Sequence, residues 1–310
     1  MGFSVPAEQV TIMFCLIGLG WLAVRVHWFG AEALKGMTNL LLFLVSPAVI
    51  VQAFQRPFDL GRLQTIGIVF VVDLAAFALT IGIANALFNR RLVADENHRT
   101  ALRFGTVYSN AGFIGIPLTQ AVLGDDGVLY AVAFLAAFTI FLWTHGLAMF
   151  GDHESPMHLL KGAVLNPGIV SILVALPLFL FSITLPSPIS DVLGYLASMN
   201  TPLSMLVVGA SLAAFSLRTV FSDGFAWLGT VVRNVAIPVI FIGLLMLLPI
   251  DPVARTSIVI SVSTPVGASV VIFSLRHERD TVFATRLLCL STLVSLLTLP
   301  AALVVAGLAW

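Results

Sequence analysis

Apolar runs of about twenty residues alternate with short polar connections along the whole chain. A run of that length crosses the hydrocarbon of a bilayer as one helix. The pattern predicts ten spanning helices, at about 7–24, 36–54, 63–88, 101–123, 127–150, 163–184, 192–215, 224–248, 254–275 and 281–308. Turn chemistry punctuates them, as in Arg56-Pro57-Phe58-Asp59, Gly124-Asp125-Asp126-Gly127, Pro186-Ser187-Pro188 and Pro249-Ile250-Asp251-Pro252.

Lys and Arg set the orientation, because cytoplasmic connections retain them. With the N-terminus outside, Arg25, Lys35, Arg90, Arg91, Arg99, Arg103, Lys161, Arg218, Arg276, Arg279 and Arg286 fall inside, eleven of the fifteen basic residues. Arg56, Arg62 and Arg255 stay outside, and Arg233 lies within the eighth span. Ten spans then place both termini outside, in a cytoplasmic (plasma) membrane.

Composition narrows the class. The 310 residues are 59% hydrophobic and 10% charged, with a mean hydropathy of +1.06. Too few polar residues remain to cover soluble domains, which carry about 25% charge. Fifteen basic and fifteen acidic residues cancel. Without a basic stripe, nucleic acid is not an expected partner; the bilayer is. Cys15 and Cys289 fall in apolar runs and read as small hydrophobes. Glu8, not Lys or Arg, precedes the first apolar run, so a cleaved signal is not expected. No metal-ligand spacing or cofactor motif stands out, leaving H⁺ or Na⁺ coupling as the only small co-ligand to consider.

The longest polar connection, 151–162, reads as a cytoplasmic linker between halves 1–150 and 163–310, with five spans each. An odd number per half starts the second half from the opposite side, the ground plan of an inverted repeat. Arg99-Thr100-Ala101-Leu102 before the fourth span is faintly echoed by Arg255-Thr256-Ser257-Ile258 before the ninth.

The fourth and ninth spans are interrupted. Tyr108-Ser109-Asn110-Ala111-Gly112-Phe113-Ile114-Gly115-Ile116-Pro117-Leu118 places two glycines and a proline near mid-membrane, and Ser261-Val262-Ser263-Thr264-Pro265-Val266-Gly267-Ala268-Ser269 places one proline and one glycine there beside small hydroxyl residues. Proline removes a backbone donor and clashes with the preceding turn. Paired interruptions at corresponding places in two halves mark the binding site of a transporter. Each proline is expected to begin a second half-helix, whose free N–H groups and partial positive charge suit an anion, typically a carboxylate. The candidate binding residues are Asn110, Gly112, Gly115, Pro117, Ser263, Thr264, Pro265 and Gly267. The bland alternative is that glycine and proline serve packing or kinks, being common in membrane helices.

The stretch Asn110-Ala111-Gly112-Phe113-Ile114-Gly115-Ile116-Pro117-Leu118 resembles the signature of the auxin efflux carrier family. Ten spans, outside termini, the central polar loop and the proline-broken ninth span match it too. The resemblance implies a fold shared with bile acid:sodium symporters. Spans one, two, six and seven would form a scaffold, spans three to five and eight to ten a moving transport domain, and spans four and nine would cross at their breaks. It also implies a homodimer through the scaffold and transport of organic anions, auxin in plants and dicarboxylates such as malonate in bacteria. This chain lacks an asparagine beside Pro265, which argues against auxin itself. Its central loop has only about a dozen residues, so the long regulatory loop of some plant members is absent.

Four polar residues inside the spans are candidates for coupling or for lining a cavity. Asp73 lies in the third span, where a central charge costs about 2.5–3.5 kcal/mol on insertion scales. It could carry a proton, bind Na⁺, order the cavity or pair structurally. Arg233, followed by Asn234, could pair with Asp73 or attract an anion; snorkelling to the cytoplasmic interface is the first expectation. His145, in Trp143-Thr144-His145-Gly146, could titrate or be a satisfied interfacial residue. Gln120, with Gln52, could line a cavity, and Asp125-Asp126 reads as a solvated turn.

These features predict an all-α membrane protein that carries small organic anions by alternating access, as exporter or exchanger. Proton- or sodium-coupled import of dicarboxylates or bile-acid-like anions is the alternative. An intramembrane enzyme would have to rest on Ser109 and His145, without a G-x-S-x-G or H-E-x-x-H motif and with a single intramembrane aspartate. A channel would need a ring of charge or carbonyls, and a sensor an output domain; the sequence suggests neither.

Overall fold

A computed structural model describes residues 4–151, 164–213 and 220–310. The expected linker at 151–162 lies outside them apart from Gly151. Every named element among the described residues is a helix, and one isolated bridge, Ser109 with Val266, interrupts the pattern. In chain order the helices are α1 (Ser4–Arg25), α2 (Ala31–Ala53), α3 (Leu60–Leu87), α4 (Glu96–Val107), α5 (Ala111–Gly146), α6 (Pro167–Leu180), α7 (Ser187–Ala213), α8 (Gly224–Leu245), α9 (Pro252–Ser263), α10 (Ser269–Arg276) and α11 (Thr281–Ala309).

Six of these (α2, α3, α5, α7, α8 and α11) are long and apolar enough to cross a membrane, and Thr11–Arg25 and α6 are shorter apolar helices. The fourth and ninth expected spans miss the length because each is split: 101–123 between α4 and the start of α5, and 254–275 between α9 and α10.

α5 is a hairpin rather than one rod. Gly124 adopts φ 64° within it, a left-handed conformation open to glycine. In a straight helix Phe141 would lie about 45 Å from Ala111. Instead the Tyr108 hydroxyl, three residues before Ala111, donates to the Phe141 carbonyl at 2.8 Å. The chain therefore runs out from Ala111, turns at Gly124 and returns, which agrees with the expected turn at 124–127.

Prolines are absorbed by π-turns. Leu41–Val45, Ala111–Gly115 and Val232–Ala236 are each wound as a π-turn, and each ends one residue before an X-Pro pair, at Pro47, Pro117 and Pro238. The wider turn relieves the clash of the proline ring with the preceding carbonyls, so the helix continues. Acids in the connections are mostly caps. The side chains of Asp59, Asp95, Asp223, Asp251 and Asp280 accept from backbone N–H groups at the starts of α3, α4, α8, α9 and α11. Each such cap is worth about 1 kcal/mol.

Small residues let α1 and α7 touch. A Cβ on Gly20 would lie 2.2 Å from the Leu206 carbonyl oxygen, and one on Gly209 would lie 1.9 Å from that of Ile17. Side-chain-free crossings of this kind hold helices together in lipid, where no hydrophobic force does so. The last turns of α2 pack on α6 and α7. The remaining helices pack around a second centre, where α4, α5, α9 and α11 meet. Large apolar side chains such as Leu247, Leu297 and Leu308 are more than two-thirds exposed, as on a surface that faces lipid.

Candidate functional site

The two interruptions cross. After α4 the backbone leaves the helix at Tyr108–Asn110, and after α9 it is extended from Thr264. The Asn110 N–H donates to the Pro265 carbonyl at 2.8 Å, and the Gly267 N–H donates to the Tyr108 carbonyl at 2.9 Å. Ser109 and Val266 thus pair antiparallel. Backbone groups freed in hydrocarbon need internal partners, and here each break supplies the other's. The approach demands Gly267, whose Cβ would meet the Ser109 carbonyl oxygen at 2.9 Å and that of Tyr108 at 3.1 Å.

Arg233 locks the crossing. It is 2% exposed. Its Nε donates to the Thr264 carbonyl at 3.0 Å, one Nη to that of Thr106 at 2.9 Å and the other to that of Val262 at 2.9 Å. These carbonyls end α4 and α9, and the last carbonyls of a helix have no partner within it. A guanidinium with five donors in a rigid fork suits two such ends and complements their partial negative charge. Arg233 therefore does not snorkel to the interface.

Side chains from α8 and α11 complete the frame. The Ser291 hydroxyl donates to the Asn234 side-chain oxygen at 2.6 Å and accepts from the Val266 N–H at 2.9 Å. The Asn234 amide donates to the Ser291 carbonyl at 2.7 Å. The hydroxyls of Ser109 and Thr264 both donate to the Ser261 carbonyl, at 3.3 and 2.9 Å. Ser263, 1% exposed, has a hydroxyl without a hydrogen-bond partner among the described residues.

Neither proline begins its half-helix, contrary to expectation. The first half-helix resumes at Ala111, six residues before Pro117, and the second at Ser269, four after Pro265. The π-turn at Ala111–Gly115 precedes Pro117, so that proline stands in the first turn of the α-helical part and not at the start of the helix. Asn110 takes the capping position. Its carbonyl accepts from the Ile114 and Gly115 N–H groups at 3.0 and 3.3 Å. The N–H groups of Ala111, Gly112 and Phe113 remain as the open end of the helix. Gly112 is exposed, and a Cβ there would meet nothing within 4 Å. Gly115 lies against Thr264, its Cβ position 3.4 Å from the Thr264 methyl.

The other candidates surround this centre at different depths. The Tyr108 hydroxyl lies 2.9 Å from His145 Nδ1, so His145 holds the start of the break. His145 and Ser109 are occupied separately and are not hydrogen-bonded as a nucleophile and base would be. Gln120 accepts from the Asn200 amide at 3.2 Å, and the Thr201 hydroxyl donates to the Pro117 carbonyl at 3.2 Å. Asp73 is fully buried on α3, and neither carboxyl oxygen has a hydrogen-bond partner among the described residues. One turn later, Ala76, Phe77 and Thr80 line a small space with Val107, Arg233 and Val262. Asp73 itself is not bonded to Arg233, whose donors go to backbone carbonyls.

Sequence reasoning missed Thr106, Asn200, Thr201 and Ser291. Asn200-Thr201-Pro202 was legible as a third polar-proline interruption. Isolated hydroxyls such as Ser291 give no such signal.

Three relatives match the chain along almost its full length. One is 25% identical over 304 residues, 97% of this chain and 98% of its own, and is named "Uncharacterized transporter", from Methanothermobacter thermautotrophicus. Another, "Uncharacterized transporter MJ1031" of Methanocaldococcus jannaschii, is 23% identical over 95% of this chain and 97% of its own. A third, from Rhizobium meliloti, is named "Putative malonate transporter" and is 25% identical over 92% of this chain and 93% of its own. A family model described as "Membrane transport protein" matches residues 6–303. With its long apolar helices, and in keeping with the motif at Asn110–Leu118, the chain belongs to the membrane transport protein family.

Proposed function

We propose that this protein is a secondary carrier of small organic anions, dicarboxylates such as malonate among them, and that the substrate carboxylate binds at the open helix end beside Asn110 and Gly112. The observation that carries this reading is the crossing itself. It leaves the first N–H groups of α5 without partners in their own helix, beside Gly112, where a Cβ would meet nothing within 4 Å. The name of the Rhizobium meliloti relative supports the dicarboxylate class.

In this reading the chain makes ten crossings, in two inverted halves, with both termini outside a cytoplasmic membrane. α1, α2, α6 and α7 form the scaffold, and α3–α5 with α8–α11 move as the transport domain. The touching pair α1–α7 and the packing of α2 on α6 and α7 support that division. Two copies would associate through the scaffold. Proton-coupled import is a second reading, favoured by one observation: the buried Asp73 carboxyl has no hydrogen-bond partner among the described residues. A carboxyl in hydrocarbon is costly as an anion and less so as a neutral acid.

Uptake of labelled malonate into proteoliposomes tests both readings. Saturable flux, competed by other dicarboxylates, is the expected result. Flux driven by an imposed pH gradient and indifferent to Na⁺ would favour the Asp73 reading, and flux indifferent to both gradients would favour uniport or exchange. No flux for any anion, from folded protein, would contradict the proposal.

A further inference from the structure

One end of the molecule carries an ion-pair cluster that the transport site does not use. Asp126, at the tip of the α5 hairpin, accepts from both Arg56 and Arg62 on the same carboxyl oxygen, Arg62 at 3.0 Å. The two arginines have different anchors. Arg62 lies in the first turn of α3, whose cap Asp59 accepts from its own N–H at 2.7 Å. Arg56 lies between α2 and α3, in a segment fastened to the α6–α7 connection. There the Gln55 side chain accepts from the Leu185 N–H at 3.0 Å, the Phe58 N–H donates to the Ser182 hydroxyl at 2.9 Å, and the Phe54 and Phe58 rings pack on Phe179. Asp126 belongs to the other body, because the neighbouring Gly127 carbonyl accepts from the Ser257 hydroxyl of α9 at 3.0 Å.

The Arg56–Asp126 pair therefore joins the α2–α6–α7 side to the α5–α9 side, whereas the Arg62–Asp126 pair stays within the second. The same two sides share a buried apolar cluster, which includes Ile50 of α2, Phe54 just after it, and Ile116 and Val128 of α5. Beside the ion pair, Arg62, Thr65, Asp126, Tyr130 and Asp251 line a polar cavity of about 280 Å³, so water reaches the pair at its rim.

We infer that Arg56 and Asp126 form a latch that holds this end of the carrier closed and biases the protein toward the state open at the opposite, cytoplasmic end. The inference rests on the division into scaffold and transport domain proposed above. Movement of one body past the other must break the Arg56 pair and can leave the Arg62 pair intact. Asp126 is 57% exposed and the Arg56 side chain 17%. A pair so placed is a modest weight, worth about a two- to fivefold change in the ratio of the two states. It should also weaken in 1 M salt, where the screening length falls to about 3 Å.

The test is a distance distribution between spin labels on the two bodies, at Ile189→Cys in α7 and Leu248→Cys after α8, both exposed. It uses the full chain in lipid, with Cys15 and Cys289 replaced. Arg56→Gln and Asp126→Asn should each enlarge the longer-distance population two- to fivefold. Arg62→Gln, which removes the same charge from the same oxygen, should leave it unchanged. The exchange Arg56→Asp with Asp126→Arg, made together with Arg62→Gln so that the new arginine faces no like charge, should restore the parent distribution and serves as the check that the site still folds. Unmoved distances in Arg56→Gln, or equal shifts in Arg56→Gln and Arg62→Gln, would overturn the latch. No substrate is present, so a failure of malonate flux leaves this result standing, and flux with unmoved distances removes the latch alone.

Discussion

Arg233→Ala is expected to abolish transport and to lower thermal stability, the largest single-residue effect on the site. Three carbonyls at the ends of α4 and α9 would lose their donor together. Each hydrogen bond to a charged group is worth about 1.5–3 kcal/mol net, and an orphaned buried acceptor costs more than the bond returned. Removing the guanidinium also removes the cost of burying it. The balance is a loss of about 2–4 kcal/mol, tenfold or more in the population of the correctly crossed state. Arg233→Lys should fall between, because one ammonium on a flexible stem cannot span three carbonyls as a planar fork does. Malonate flux and the thermal midpoint in lipid read the two effects. Full flux in Arg233→Ala would show that the crossing holds without its lock.

Gly267→Ala should separate the two breaks. Its new methyl would meet the Ser109 and Tyr108 carbonyl oxygens, which are backbone and cannot swing aside. Overpacking of this kind costs about 1–3 kcal/mol. Here the strain falls on the two hydrogen bonds that join the breaks, Asn110 N–H to Pro265 and Gly267 N–H to Tyr108. Both flux and thermal midpoint should drop. Gly112→Ala is the matched contrast, since its methyl enters open space. It should leave the midpoint unchanged and lower flux by crowding the carboxylate. If the two variants behave alike, Gly112 does not border the substrate.

How much of this was legible in the sequence follows from what leaves a local trace. A helix long enough for a bilayer writes itself as an apolar run, so α2, α3, α7, α8 and α11 were placed to within about five residues. The breaks were visible too, because proline removes a backbone donor and glycine opens conformations that other residues avoid. Their mechanics were not. Pro117 looked like the start of a half-helix, yet a π-turn of five ordinary residues absorbs it, and nothing in Ala111-Gly112-Phe113-Ile114-Gly115 announces that turn. Arg233 was misplaced for a similar reason. Ten residues into an apolar span, its distance from the interface suits a snorkelling side chain. Only the three-dimensional crossing reveals unpaired carbonyls nearer than the water. Arg56 and Asp126 were read as members of separate turns, since seventy residues divide them and a pair across a domain boundary leaves no pattern along the chain.

The central claim is that the crossing binds the anion, and Asn110 is the residue to test it with. Its carbonyl caps the open helix end, and its side chain stands where that end begins. The measurement is malonate flux by Asn110→Ala and Pro117→Ala beside the parent protein, in proteoliposomes, with the folded fraction of each determined in the same preparation. The account predicts that the parent transports, and that both variants insert and fold but carry little or no malonate. Normal flux in both variants would contradict it and move the substrate away from the crossed helices.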